Sequence, residues 1–229
     1  MTMNHQQLKA GRKQARLTQL EAAKRLGMSQ PYLSQLEKGL RFVTPELAER
    51  ATKAYALSPT LLPVPKADSL TEDLDPEKLA RQLAGLGYPG FAHLRAHRTN
   101  PAALLIQALV QRNLEVRLTE ALPWVLCKYP DLEWSWLADQ VKLKDVQNRL
   151  GFLVGVAKDV AKSTWNSAFE PLSVAEATLE RSRLAREDTL CRDSMPEAER
   201  RWLRNTRSPL ATHWNLLTGM NADQLSYGA

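Results

Sequence analysis

Cysteine is scarce in this chain of 229 residues: Cys127 and Cys191 stand far apart, neither with a CxxC companion. That excludes a disulfide framework and a cysteine-based zinc site, and marks both as small core or boundary residues. Long apolar runs are missing too. None approaches the ~18 consecutive residues of a membrane span, and the polar stretch from Met1 to Lys13 does not read as a signal peptide. The expected location is the cytoplasm, without a membrane partner. Strand-like alternation is hard to find, and glycine and proline are sparse outside a few places. The signatures of catalysis are also absent: there is no GxSxG, GxxxxGK[ST], HExxH or GxGxxG, and no Ser/Lys self-cleavage pattern. His93 and His97, four apart in "HLRAH", lack a third ligand. No catalytic residue, metal or cofactor is therefore expected, and the chain does not read as an enzyme.

What is present is an uneven distribution of charge. Residues 1–66 hold eleven Lys and Arg against four Asp and Glu, a net of +7, while the remainder is at −1. The whole basic excess lies in the first third of the chain, which suggests a polyanion-binding head on an electrostatically neutral body.

The periodicity predicts helices throughout. The head reads as five. His5 to Arg16 is the first. Thr18 caps a second, with Glu21 completing a capping box and Gly27 ending it. Ser29 caps a third, through Lys38 to Gly39. Thr44 and Pro45 open a fourth, and Ser58 and Pro59 a short fifth over Thr60–Leu62. The composition of "PVPKADSLTEDLDPE" marks a linker, giving a head at 1–64, a linker at 65–76 and a helical body at 77–229. In the body, helices are predicted over Pro76–Gly87, from Asn100 and Pro101, over Glu115–Cys127 with a bend at Pro123, and over Asp131–Lys142. The strongest stripe runs from Leu143 through Val146 and Leu150 to Ala161. Capping boxes are expected at Ser173–Glu176 and Ser194–Glu197, and "EATLERSRLARED" reads as a solvent-facing helix. The predicted class is all-α.

The run "GRKQARLTQLEAAKRLGMSQPYLSQLEKGLRFVTPELAERATKAYALSPTLL" resembles a Cro/C1-type helix-turn-helix domain, the Xre family of phage repressors and bacterial regulators. The resemblance rests on Thr18-Gln19, the small Ala23, Gly27 in the turn, Ser29, inward Leu33 and Leu36, and Glu37-Lys38-Gly39. It implies a lambda-repressor-like five-helix domain whose third helix enters the major groove of double-stranded operator DNA. The base-reading face would be Gln30, Pro31, Tyr32, Ser34 and Gln35, with glutamine suited to adenine. Pro31 departs from the usual polar residue there. Gln19, Ser29, Lys38, Arg41 and Arg12 would contact phosphate, and Arg12 would pair structurally with Glu37. One such domain covers half a typical operator, so a homodimer on DNA is expected.

The body gathers Trp124, Tyr129, Trp134 and Trp136 in "EALPWVLCKYPDLEWSWL". These are read as core, or in part as a docking surface, since tryptophan is enriched where interfaces are strongest. Together with "KLKDVQNRLGFLVGVA" the segment resembles a helical region found behind Xre-type domains, some in antitoxins paired with nucleotidyltransferase-like toxins. That resemblance implies a repressor that neutralises a toxin partner and autoregulates its operon. A regulator whose helical body binds a small effector or dimerises is the alternative.

Overall fold

The computed structural model describes residues 3–65 and 74–225, so most of the expected linker lies outside the described residues. The chain divides into two compact units, Met1–Pro65 and Lys66–Ala229. It is mostly helical, with one tiny strand pair among the described residues.

The first unit holds α1 (His5–Gln14), α2 (Gln19–Arg25), α3 (Gln30–Glu37), α4 (Pro45–Ala54) and a 3₁₀ turn at Pro59–Leu61. Short polar side chains set its helix starts. Asn4 and Gln7 form a capping box on α1, as Thr18 and Glu21 do on α2. Ser29 and Thr44 cap α3 and α4; such caps contribute about 1 kcal/mol each. The first helix stops at Gln14, two residues short of the predicted end, because Arg16 turns left-handed at φ 55°. Gly27 and Gly39 take φ values of 64° and 75°, which end α2 and α3 at little steric cost. The apolar stripes meet in one core of Leu8, Ala22, Ala23, Leu26, Leu33, Leu36, Leu47, Ala48, Ala51, Tyr55 and Leu57.

The second unit contains α5 (Pro76–Leu86), α6 (Pro101–Leu109), α7 (Val116–Lys128), α8 (Trp134–Leu143), α9 (Gln147–Thr164), α10 (Asn166–Glu180), α11 (Glu197–Thr206) and α12 (Pro209–His213). Helix α9 is its centre, packed against α7, α8, α10 and α12. Gly151 and Gly155 flatten one side of α9. A Cβ on Gly151 would stand 2.4 Å from the Trp214 ring, and one on Gly155 2.7 Å from Leu210. The last segment therefore lies directly on the α9 backbone. Two-residue strands, β1 (Asp188–Thr189) and β2 (Leu216–Leu217), pair in parallel. Arg149 pins this end: it donates to both Asp188 oxygens at 2.7 and 3.0 Å and to the Leu109 and Gln111 carbonyls at 2.8 and 3.1 Å.

Several expectations for this unit are corrected. The stripe from Leu143 to Ala161 is not one helix: α8 ends at Leu143, Asp145 turns left-handed, and α9 starts at Gln147. Leu143 is thus exposed rather than core. Ser173 is no cap but lies inside α10, its hydroxyl donating to the Phe169 carbonyl. Pro196, not Ser194, precedes α11, so that capping box does not form. The charged run "EATLERSRLARED" leaves the helix at Glu180, because its second half carries Leu184 and Asp188 back toward α9.

Candidate nucleic-acid interface

In the first unit α3 follows α2 through the Gly27 turn, with Leu33 and Leu36 buried and the opposite face open. Pro31 and Tyr32 are exposed at its start, and Gln30, Ser34 and Gln35 half-buried beside them. Ser29 accepts the Tyr32 N–H through its hydroxyl oxygen and keeps its own proton to donate. Lys38 and Arg41 are exposed past the end of α3. Arg41 is not idle: its Nε donates to Gln35 Oε1 at 2.8 Å and its guanidinium lies 5.6 Å from the Tyr32 ring centre. The carbonyl oxygen of Gln35 is therefore already engaged, while its amide hydrogens remain open.

A chain of hydrogen bonds runs beneath this face. Glu37 is buried at 4% exposure and accepts Arg12 Nε at 2.5 Å and Nη2 at 3.0 Å. Arg12 Nη1 donates to the Leu17 carbonyl at 2.8 Å. Gln19 Nε2 donates to Glu37 Oε2 at 2.9 Å, and Gln30 Nε2 donates to Gln19 Oε1 at 2.9 Å. The direction of the chain has one physical cause. Burial pushes the Glu37 carboxyl up, but the bonds from Arg12 and Gln19 and the charge of Arg12 outweigh it, so it sits below the usual carboxylate range. The bond to Glu37 in turn raises Arg12 above its ordinary value. An ionised carboxylate only accepts, so Gln19 must turn its NH₂ inward and its oxygen toward Gln30. Gln30 then spends one N–H on Gln19 and keeps an N–H and its oxygen free.

Sequence reading missed two apolar side chains here. Leu40 and Phe42, in "GLRF" after α3, are 71% and 95% exposed; the signal was an apolar pair straddling Arg41 just past a helix-ending glycine. It also missed the bond between Gln19 and Gln30, which joins positions eleven apart.

Of the aromatic cluster of the second unit, read as core or in part as a docking surface, Trp124 alone is buried. Trp124 is buried at 3% exposure, edge-on to Tyr88 and Tyr129, because α7 is enclosed on that side. Tyr129 donates to the Leu86 carbonyl at 2.6 Å and Trp134 to the Pro130 carbonyl at 3.0 Å, which leaves both half-buried, as is Trp136. The exposed tryptophan is Trp202 on α11, which with Val116, Met195 and Met220 lines a cavity of about 270 Å³. His93 and His97 lie in turn and loop rather than on one helix face. Among the described residues no three metal-ligating side chains gather, and no helix is long and apolar enough to cross a membrane.

Residues 6–64 match the family model of a helix-turn-helix domain, which supports a DNA-binding regulator. Comparison with curated proteins gave no match, and comparison with solved structures gave none.

Proposed function

We propose that this protein is a sequence-specific transcriptional repressor that reads its operator through α3, and that its helical unit neutralises a toxin partner, making it an autoregulating antitoxin without enzymatic activity. The observation that carries the DNA half is the oriented chain from Arg12 through Glu37 and Gln19 to Gln30. It presents one acceptor and one donor from Gln30, the pair that adenine N6 and N7 require. Ser29, Lys38, Arg41 and the two N–H groups left on Arg12 supply phosphate contacts, which fix register rather than sequence. Pro31 and Tyr32 offer apolar contact to a thymine methyl. Two copies, bound as a homodimer, would place their third helices one helical turn apart, about 34 Å.

The antitoxin half rests on the resemblance of the Ala121–Ala157 region and on the neutral charge of the body. The test is growth of cells expressing the neighbouring gene alone, with the full chain, and with the full chain carrying Gln30→Ala. Toxicity relieved equally by both forms assigns neutralisation to the helical unit, and a harmless neighbour rejects the antitoxin reading. The cavity beside Trp202 favours a second reading, a small effector held in the helical unit. A ligand-dependent rise in melting temperature that Trp202→Ala abolishes would select it.

A further inference from the structure

Helix α1 carries His5, Lys9 and Lys13 at four-residue steps, so they share one stripe. Together with Lys38, the C-cap of α3, they line a depression of about 380 Å³, whose only acid is Glu37. Lys9, Lys13 and Lys38 are exposed, and among the described residues none forms an ion pair or side-chain hydrogen bond. Glu37 does not need them, since Arg12 and Gln19 already satisfy it. The His5 ring lies against the turn at Gly39, 3.3 Å from where a Cβ would stand, which ties the start of α1 to the end of α3. Three ammonium groups gathered around one open depression repel one another, and Glu37, whose charge Lys9 feels but which Arg12 and Gln19 already hold, does not cancel that repulsion. An anion bound among them would.

We propose that this depression is a second phosphate site, one that takes the DNA backbone beside the Gln30 face and lengthens the half-site beyond the bases α3 reads. It rests on the DNA-binding reading above and adds Lys9, Lys13 and His5 to the contacts. A lysine ammonium on a flexible stem suits a phosphodiester oxygen as a point charge and carries no sequence information.

The experiment uses the full chain and a duplex that the protein selects from a random-sequence library, with binding followed from 50 to 300 mM salt. The variant is K9Q/K13Q. The control, K24Q/K53Q, removes the same charge from exposed positions on α2 and α4. Each lost phosphate contact lowers the slope of log affinity against log salt by about 0.9. K9Q/K13Q should therefore flatten the slope by about 1.8 and weaken selected and unrelated duplexes by the same factor. Phosphates whose ethylation blocks the parent protein but not K9Q/K13Q should flank the bases that Gln30→Ala affects. An unchanged slope, or the same change in K24Q/K53Q, overturns the site while leaving readout by Gln30 standing. A parent protein that selects no duplex removes the DNA-binding reading and this site together.

Discussion

Replacing Glu37 by glutamine keeps the shape of the side chain and removes its charge. In the parent protein the carboxylate accepts three hydrogen bonds, two from Arg12 and one from Gln19. Glutamine offers one oxygen and turns an NH₂ toward the other donors, so at least one charged N–H loses its partner. Hydrogen bonds to charged groups contribute about 1.5–3 kcal/mol, and breaking a buried pair costs about 3–5 kcal/mol. Arg12 keeps 11% of its side chain in reach of water, which lowers the expectation to about 2–4 kcal/mol of stability in the first unit. The sign of the pH dependence follows from the lowered Glu37 value. Its contribution is fully present above the unfolded glutamate value of about 4.3 and is lost as pH falls through the folded one. The gap between parent and Glu37→Gln should therefore close on acidification. All six tryptophans lie beyond residue 66, so tryptophan fluorescence reports the second unit alone. Urea unfolding at pH 7 and pH 3.5, with residues 3–65 followed by pulsed amide exchange and mass spectrometry, isolates the first. The same variant, which touches no base, should relax discrimination at the base pair Gln30 reads, because Gln19 is freed to turn its amide. A variant as stable as the parent within about 0.5 kcal/mol, with discrimination unchanged, would refute the oriented chain.

Three further outcomes follow from the second unit. Gly151→Ala would press a methyl into the Trp214 ring; overpacking of this kind costs about 1–3 kcal/mol and should lower the urea midpoint read by tryptophan fluorescence. Arg149→Met leaves Asp188 and two backbone carbonyls without their donor, and a loss of about 3–5 kcal/mol should appear as a lower melting temperature with early protease cleavage after residue 180. Burial pushes the Cys127 thiol up to about 12 and the Cys191 thiol up to about 11. At pH 8 both should be inert to an aromatic disulfide reagent in the native protein and react only once urea unfolds it.

The first unit was legible because its punctuation is local. Thr18 with Glu21, Ser29, Thr44 with Pro45, and the two left-handed glycines act within four residues of themselves, so spacing alone reveals them. Arg12 and Glu37 were paired on family resemblance rather than on pattern. The second unit was legible as helical and less so in its boundaries. Asp145 breaks an apolar stripe whose spacing continues on both sides, since periodicity does not register one residue with positive φ. Ser173 followed by Glu176 has the form of a cap but sits mid-helix, where a hydroxyl donates back along the chain instead. The burial of Trp124 and the exposure of Trp202 depend on which side of α7 and α11 is enclosed, a tertiary fact without a local sign. The Gly151 contact with Trp214 joins positions sixty-three apart for the same reason.

The most direct measurement is selection of duplexes from a random-sequence library by the full chain and by its Gln30→Ala variant, at one salt concentration, with both products sequenced. Readout through Gln30 predicts a half-site containing a required adenine whose preference the variant loses, at a cost of about 1–3 kcal/mol, with the other positions kept. Identical selected sites from both proteins would contradict base reading by this face of α3.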